Sequence, residues 1–223
     1  ISISAKSIDL SNNSSITSDN VRAKGNAGNI NIKTSGDISI SGTTPQSTDP
    51  AASTPTNISD ITSSTGGQGN AGKITINTQN QGKFLLNESD IFSTIGINAV
   101  GNGRGISISA REIDIRNRSF ILSDNVGGKG DAGNINLKTT GDISISGSTP
   151  QSTALITDKS KKSSISSSTN GKGTAGKITI DTQKSGNFSL SNNAFIENEI
   201  EKNGVGNSND IAISAREIDI RNQ

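Results

Sequence analysis

Gly25-Asn-Ala-Gly-Asn-Ile-Asn-Ile-Lys-Thr-Ser-Gly-Asp-Ile-Ser-Ile40 decides the fold. Ile30 and Ile32 alternate with polar residues. After a Ser-Gly corner, Ile38 and Ile40 do the same. Alternation at two residues predicts a half-buried strand, whereas a helix would need apolar residues three and four apart. Gly and Asn separate the runs, and both tolerate the backbone of a sharp corner. A third, weaker strand follows around Ile61. The pattern then returns as Ile74/Ile76, Phe84/Leu86 and Ile91, and again as Ile106/Ile108, Ile113/Ile115 and Ile121.

A longer period lies over this one. Ile1-Ser-Ile-Ser-Ala-Lys-Ser-Ile-Asp-Leu10 returns as Ile106-Ser-Ile-Ser-Ala-Arg-Glu-Ile-Asp-Ile115. It returns once more as Ile211-Ala-Ile-Ser-Ala-Arg-Glu-Ile-Asp-Ile220, 105 residues further on each time. The chain therefore divides into long repeats 1–105 and 106–210 and the start of a third, 211–223, within one continuous solenoid. A Gly ahead of the Ile-x-Ile pair stands at Gly28, Gly72, Gly105, Gly133 and Gly176, and Asp210 takes the last such place. Three short strands per unit, stacked unit on unit, predict an all-β fold: a three-sided parallel β-helix of about six and a half coils. Ile1, Ile30, Ile74, Ile106, Ile135, Ile178 and Ile211 are expected to stack as one buried ladder. Ile3, Ile32, Ile76, Ile108, Leu137, Ile180 and Ile213 are expected to form a second. β-Branched Ile suits such a surface because its stiff rotamer packs well on the pleat. The five marker glycines are assigned to corners.

Composition removes much familiar chemistry. The 223 residues contain no Cys, His, Trp or Tyr and only five Phe. Thiolate chemistry and Ser-His-Asp arrangements are absent with the residues they need, as are stacking platforms for bases. A net charge of +1 gives no overall electrostatic case for nucleic acid. No apolar run approaches the roughly 18 residues of a membrane span, so no membrane insertion is expected. Hydrophobic residues make up only 28% of the chain, a level that alone would suggest disorder. The repeat order argues otherwise. No cofactor is implied.

Two stretches interrupt the pattern at the same place in each long repeat. Residues 43–57 hold three of the four prolines, and residues 148–163 carry Lys159, Lys161 and Lys162. Both are expected to leave the wall as loops on one side, where binding residues often sit. Both ends of the chain read as uncapped coils, which solenoids normally cover.

Sites of chemistry are few. Gly67–Gly72, Gly128–Gly133 and Gly171–Gly176 satisfy Gly-x-Gly-x-x-Gly, but each leads into an alternating strand, not into the helix a dinucleotide site requires. Gly67–Lys73 and Gly171–Lys177 approach a P-loop but are followed by Ile, where magnesium needs Ser or Thr. Asp131 sits one place early for a calcium nonapeptide turn, and the equivalent turns carry Asn70 and Thr174. Asp60 and Asp90 are expected to be neighbours on adjacent coils, a pair able to hold a cation or to serve a glycosidase. Ser164 and Phe195 stand at those places in the second long repeat, so the pair is read as a solvated surface pair. Asp9, Asp114 and Asp219 recur three coils apart, too far to act together.

The motif Gly-x-Ala-Gly-x-Ile-x-Ile, with Ser-rich strands such as Ile61-Thr-Ser-Ser-Thr-Gly-Gly-Gln-Gly-Asn-Ala-Gly72, resembles the repeat region of large filamentous-haemagglutinin-like exoproteins of the two-partner secretion type, especially cyanobacterial ones. The resemblance implies a right-handed β-helix, an outer-membrane secretion partner, and an extracellular or cell-surface fibre or adhesin. It carries over no catalytic residues. Three functions are thus expected in order: a structural fibre segment that associates with itself, an adhesin module binding glycans or cell surfaces through the insertions, and a β-helical carbohydrate-active enzyme. No nucleic-acid partner is expected.

Overall fold

The computed structural model describes residues 1–42, 58–147 and 162–221. Every regular element among them is a β-strand. The first coil holds β1 (Ser2–Ala5), β2 (Ile8–Ser11) and β3 (Ser15–Thr17). The second holds β4 (Ile30–Thr34), β5 (Ile38–Ser41) and β6 (Ser59–Thr62), and the third β7 (Ile74–Asn77), β8 (Lys83–Asn87) and β9 (Ser89–Phe92). The fourth holds β10 (Ile106–Ala110), β11 (Glu112–Arg116) and β12 (Phe120–Leu122), and the fifth β13 (Ile135–Thr139), β14 (Ile143–Ser146) and β15 (Ser164–Ser166). The sixth holds β16 (Ile178–Asp181), β17 (Phe188–Ser191) and β18 (Phe195–Glu197), and β19 (Ile211–Ser214) and β20 (Ile218–Arg221) open a seventh.

Each strand pairs only with its counterparts one coil before and after, always in parallel. The result is two seven-stranded sheets and one of six strands. The chain is a three-sided parallel β-helix. The sheets run without a break through residues 105 and 106, since β10 pairs with both β7 and β13.

Strict alternation sets this architecture. β4 and β13 read buried-exposed-buried-exposed-buried. Ile30, Ile74, Ile106, Ile135 and Ile178 stack in register and are buried, as are Ile32, Ile76, Ile108, Leu137 and Ile180. Ile3 and Ile213 hold the same register at the two ends and are half-buried. Ile1 and Ile211 correct the expectation of a uniformly buried ladder: they are 49% and 41% exposed. Each has a neighbouring coil on one side only, and burial of an inward side chain here needs coils on both. Phe84 and Phe188 take inward places on the second sheet, in register with Ile38 and Ile113 and with Ile143 and Ile218, and both are fully buried.

Paired left-handed residues make the tight corners. Asn12 and Asn13 (φ 56° and 63°), Asn117 and Arg118 (55° and 63°) and Asn192 and Asn193 (53° and 59°) turn the chain from the second sheet to the third. Asn bears this conformation best after Gly, because its short side chain bonds locally. In the second and fifth coils the insertions stand in this corner. Residues 43–57 lie outside the described residues, and of 148–163 only Lys162 and Ser163 are described.

Candidate functional site

The third sheet and the corners beside it carry most of the polar detail. Its four inner strands share the pattern Ser-x-Ile-x-Ser: Ser59-Asp-Ile-Thr-Ser63, Ser89-Asp-Ile-Phe-Ser93, Ser119-Phe-Ile-Leu-Ser123 and Ser163-Ser-Ile-Ser-Ser167. All three alternate residues of each point inward and are buried. Buried hydroxyls need partners, and these have them. Ser63 donates to the Gly28 carbonyl at 2.6 Å, Ser93 to Gly72 at 2.9 Å and Ser167 to Gly133 at 2.8 Å.

The leading serines close the corner before the sheet. Where the turn is tight, Ser119 donates to the Arg116 carbonyl at 2.6 Å. Where an insertion intervenes, the same bond forms across its base: Ser59 to the Ser41 carbonyl at 2.9 Å, and Ser163 to Ser146 at 2.7 Å. Each insertion therefore leaves and re-enters the wall at the place a two-residue turn would occupy, and the coil beneath is unchanged.

Asp60 and Asp90 are register partners on β6 and β9, as expected of neighbours on adjacent coils. The reading of a solvated pair is corrected for Asp90, which is 6% exposed. Burial pushes its pKa up to about 7; the Phe120 N–H, 3.2 Å away, opposes this, Asp60 adds to it, and Arg118 opposes it. Asp60 accepts a hydrogen bond from the Ser15 hydroxyl and is half-buried. A glycosidase needs both carboxyls flanking one accessible bond, and Asp90 is too covered to reach such a bond beside Asp60. On the same face, Asp124 accepts from the Ser168 N–H at 2.7 Å and the Ser166 hydroxyl at 2.9 Å. Burial raises it to about 6 in spite of these bonds, with Glu201 and Glu199 adding to the effect.

Both shifts carry the same sign. A carboxyl held above its unfolded value binds a proton in the native chain that the unfolded chain has already released. Its contribution to stability is complete at pH below about 4 and is lost as pH rises to about 7. The melting temperature is therefore expected to fall between about pH 4.5 and about pH 8. Asp90→Asn should flatten that fall and raise the melting temperature at the alkaline end. A slope unchanged by the substitution would remove Asp90 as its source.

The glycine motifs resolve into corner geometry. Gly67–Gly72, Gly128–Gly133 and Gly171–Gly176 form the corner between the third and first sheets, and each runs directly into a strand: β7, β13 or β16. In the first of them, the Gly69, Ala71 and Gly72 N–H groups donate to Val100, Asn102 and Ser63 carbonyls at 2.8–3.0 Å, so they are not free to cradle a phosphate. Asp131 belongs to an exposed ladder of side-chain acceptors. Asn26 accepts from the Asn70 N–H, Asn70 from Asn102, Asn102 from Asp131, and Asp131 from Thr174, at 2.7–2.9 Å. Asp9, Asp114 and Asp219 occupy one column of the second sheet with two coils between successive members.

Four of the five marker glycines, Gly28, Gly72, Gly133 and Gly176, are corner residues because of close approach. A Cβ on Gly72 would lie 2.2 Å from both the Gly28 carbonyl oxygen and the Ser63 hydroxyl. Gly105 is a corner residue as well, and a Cβ there would lie 2.1 Å from the Asn134 carbonyl oxygen. Gly105 aligns with Lys73 and Asn134, one place later, and has φ +78°. Arg104 takes the marker place in that coil. The buried Asn125 was not singled out from the sequence. Its amide donates to the Gly128 and Gly130 carbonyls at 3.2 and 2.8 Å and accepts from the Gly127 and Gly128 N–H groups at 3.1 and 2.7 Å, closing the corner from inside. Asn20, 105 residues earlier, bonds Ala23 and Gly25 in the same way, and that recurrence was the available signal.

No protein-family model, curated protein or solved structure matches the chain.

Proposed function

We propose that this chain is a structural segment of an extracellular filament, in which stacked coils supply length and stiffness and the outer polar rows meet the surroundings. It works by architecture, not catalysis. The observation that carries this reading is the unshifted register of all three sheets through every coil, with insertions confined to one corner and pinned at their bases. Such a stack extends by adding coils, and each coil gains its core only from its neighbours. The Gly-x-Ala-Gly-x-Ile-x-Ile motif supports export through an outer-membrane partner and a location at the cell surface, by resemblance to filamentous-haemagglutinin-like exoproteins.

A second reading, an adhesin binding glycans or cell surfaces through the insertions, is favoured by their recurrence at one corner on a rigid base. Replacing residues 43–57 and 148–163 by short Gly-Ser turns separates the two. The structural reading expects filaments of unchanged length and unchanged surface attachment. Intact filaments that no longer attach would favour the adhesin, and loss of the filaments themselves would contradict the structural reading.

A further inference from the structure

Formal charge is unevenly placed around the solenoid. The corner leading into the first sheet, together with that sheet, comprises residues 20–34, 66–78, 96–110, 126–139, 170–182 and 201–215. These segments hold ten Lys and Arg against four Asp and Glu. All ten cations are exposed, and none enters an ion pair among the described residues. On the second sheet, by contrast, Lys83–Glu112 and Arg116–Asp114 hold opposite charges together. The third sheet with the described residues of its corner, 12–19, 58–64, 88–94, 117–124, 162–168 and 192–199, holds seven acidic residues and two basic ones, Arg118 and Lys162. Asp19 and Glu199 are exposed there, Asp60, Asp124 and Glu197 are half-buried, and Asp90 is buried.

The two faces share a period. Lys33 and Lys138 occupy one column of the first sheet three coils apart. Lys24 and Lys129 do the same at the corner. On the acidic face, Asp19 and Asp124 also recur three coils apart, linked by Ser64 and Thr94 through the interstrand bonds. Lys33 and Lys138, Lys24 and Lys129, and Asp19 and Asp124 are therefore each about 14 Å apart along the axis, with Lys172 and Glu199 standing in the same columns off that period. Two parallel solenoids placed side by side would bring like-spaced opposite charges into register at every long repeat.

We propose that the basic face is a docking surface for the acidic third face of a second copy of this chain, so that solenoids associate side by side. The contact is heterologous, with different patches meeting, and such contacts propagate instead of closing into a dimer. It deepens the filament reading and rests on it, since it names the lateral partner of the proposed filament. A linear polyanion would also fit the basic face, but it would leave the commensurate acidic column without a role.

The test is sedimentation of the chain at about pH 8, where Asp90 and Asp124 are ionised, over a range of salt. Association is expected at about 20 mM salt and should weaken at least tenfold by about 0.5 M, as screening shortens the reach of surface charge. Two double variants sharpen it. Lys33→Glu with Lys138→Glu reverses the lysine column of the first sheet, and Asp19→Lys with Glu199→Lys reverses the two exposed carboxylates of the acidic face. All four positions are exposed, and folding is checked by circular dichroism. Each variant alone should stay monomeric, and an equimolar mixture should associate again, because each then offers the face that the other lacks. Several results would overturn the proposal: a chain monomeric at low salt, association that survives both reversals, a mixture that fails to associate, or a monomeric chain that binds polyglutamate through the basic face. Filaments in native material alongside a monomeric chain would defeat this inference alone. Charge-dependent association without filaments in native material would defeat the filament reading instead.

Discussion

Ile135→Asp is expected to abolish folding or to cost more than about 4 kcal/mol in urea unfolding. Ile135 is fully buried, stacked between Ile106 and Ile178 in the middle of the first sheet. Its neighbours offer a carboxylate neither a cation nor a donor. The side chain must either stay ionised in a low-dielectric core or take up a proton, and both destabilise. Asn136→Asp, one residue along, is the control. Asn136 points outward and is exposed, so its change should stay within about 0.5 kcal/mol. Equal effects at the two positions would contradict the inward assignment.

The second large effect is at Gly69. Its φ is +139°, and an added Cβ would lie 2.0 Å from the Gly25 carbonyl oxygen in the coil below. Gly25 has a similar φ, +128°, but nothing within 4 Å of its Cβ position. Gly25→Ala therefore incurs backbone strain alone, about 1–2 kcal/mol. Gly69→Ala adds a clash against main chain, which cannot move without parting two coils. A total of about 3–5 kcal/mol is expected. Denaturant midpoints of the two variants measure the difference, which is the energetic signature of stacking itself. Equal costs would mean that the coils part more readily than the register implies.

The strand skeleton was legible because one signal repeats. Ile-x-Ile at period two recurs with Gly ahead of it, and a one-residue slip would turn every Ile outward. The third sheet was fainter, since its inward row alternates Ser, Ile and Ser and so lacks an apolar pair. Buried serines look like surface residues in a sequence. Their partners are backbone carbonyls of other corners, such as Gly28 for Ser63, which pattern alone does not reveal. Gly105 stands one place later than the other markers, directly before Ile106 where Lys73 and Asn134 precede Ile74 and Ile135, and the bonds from Ile74 to Gly105 and from Ile106 to Asn134 hold that register. The Asp60–Asp90 adjacency followed from the repeat, but the burial of Asp90 did not, because it depends on what surrounds the strand in three dimensions.

The central claim is that these coils form part of a filament, and axial order in the native material tests it most directly. Diffraction or electron microscopy should show long thin filaments with a spacing of about 4.8 Å along the axis and a longer repeat near 14 Å from the three-coil unit. Discrete particles of limited length that lack an extended axial repeat would contradict it.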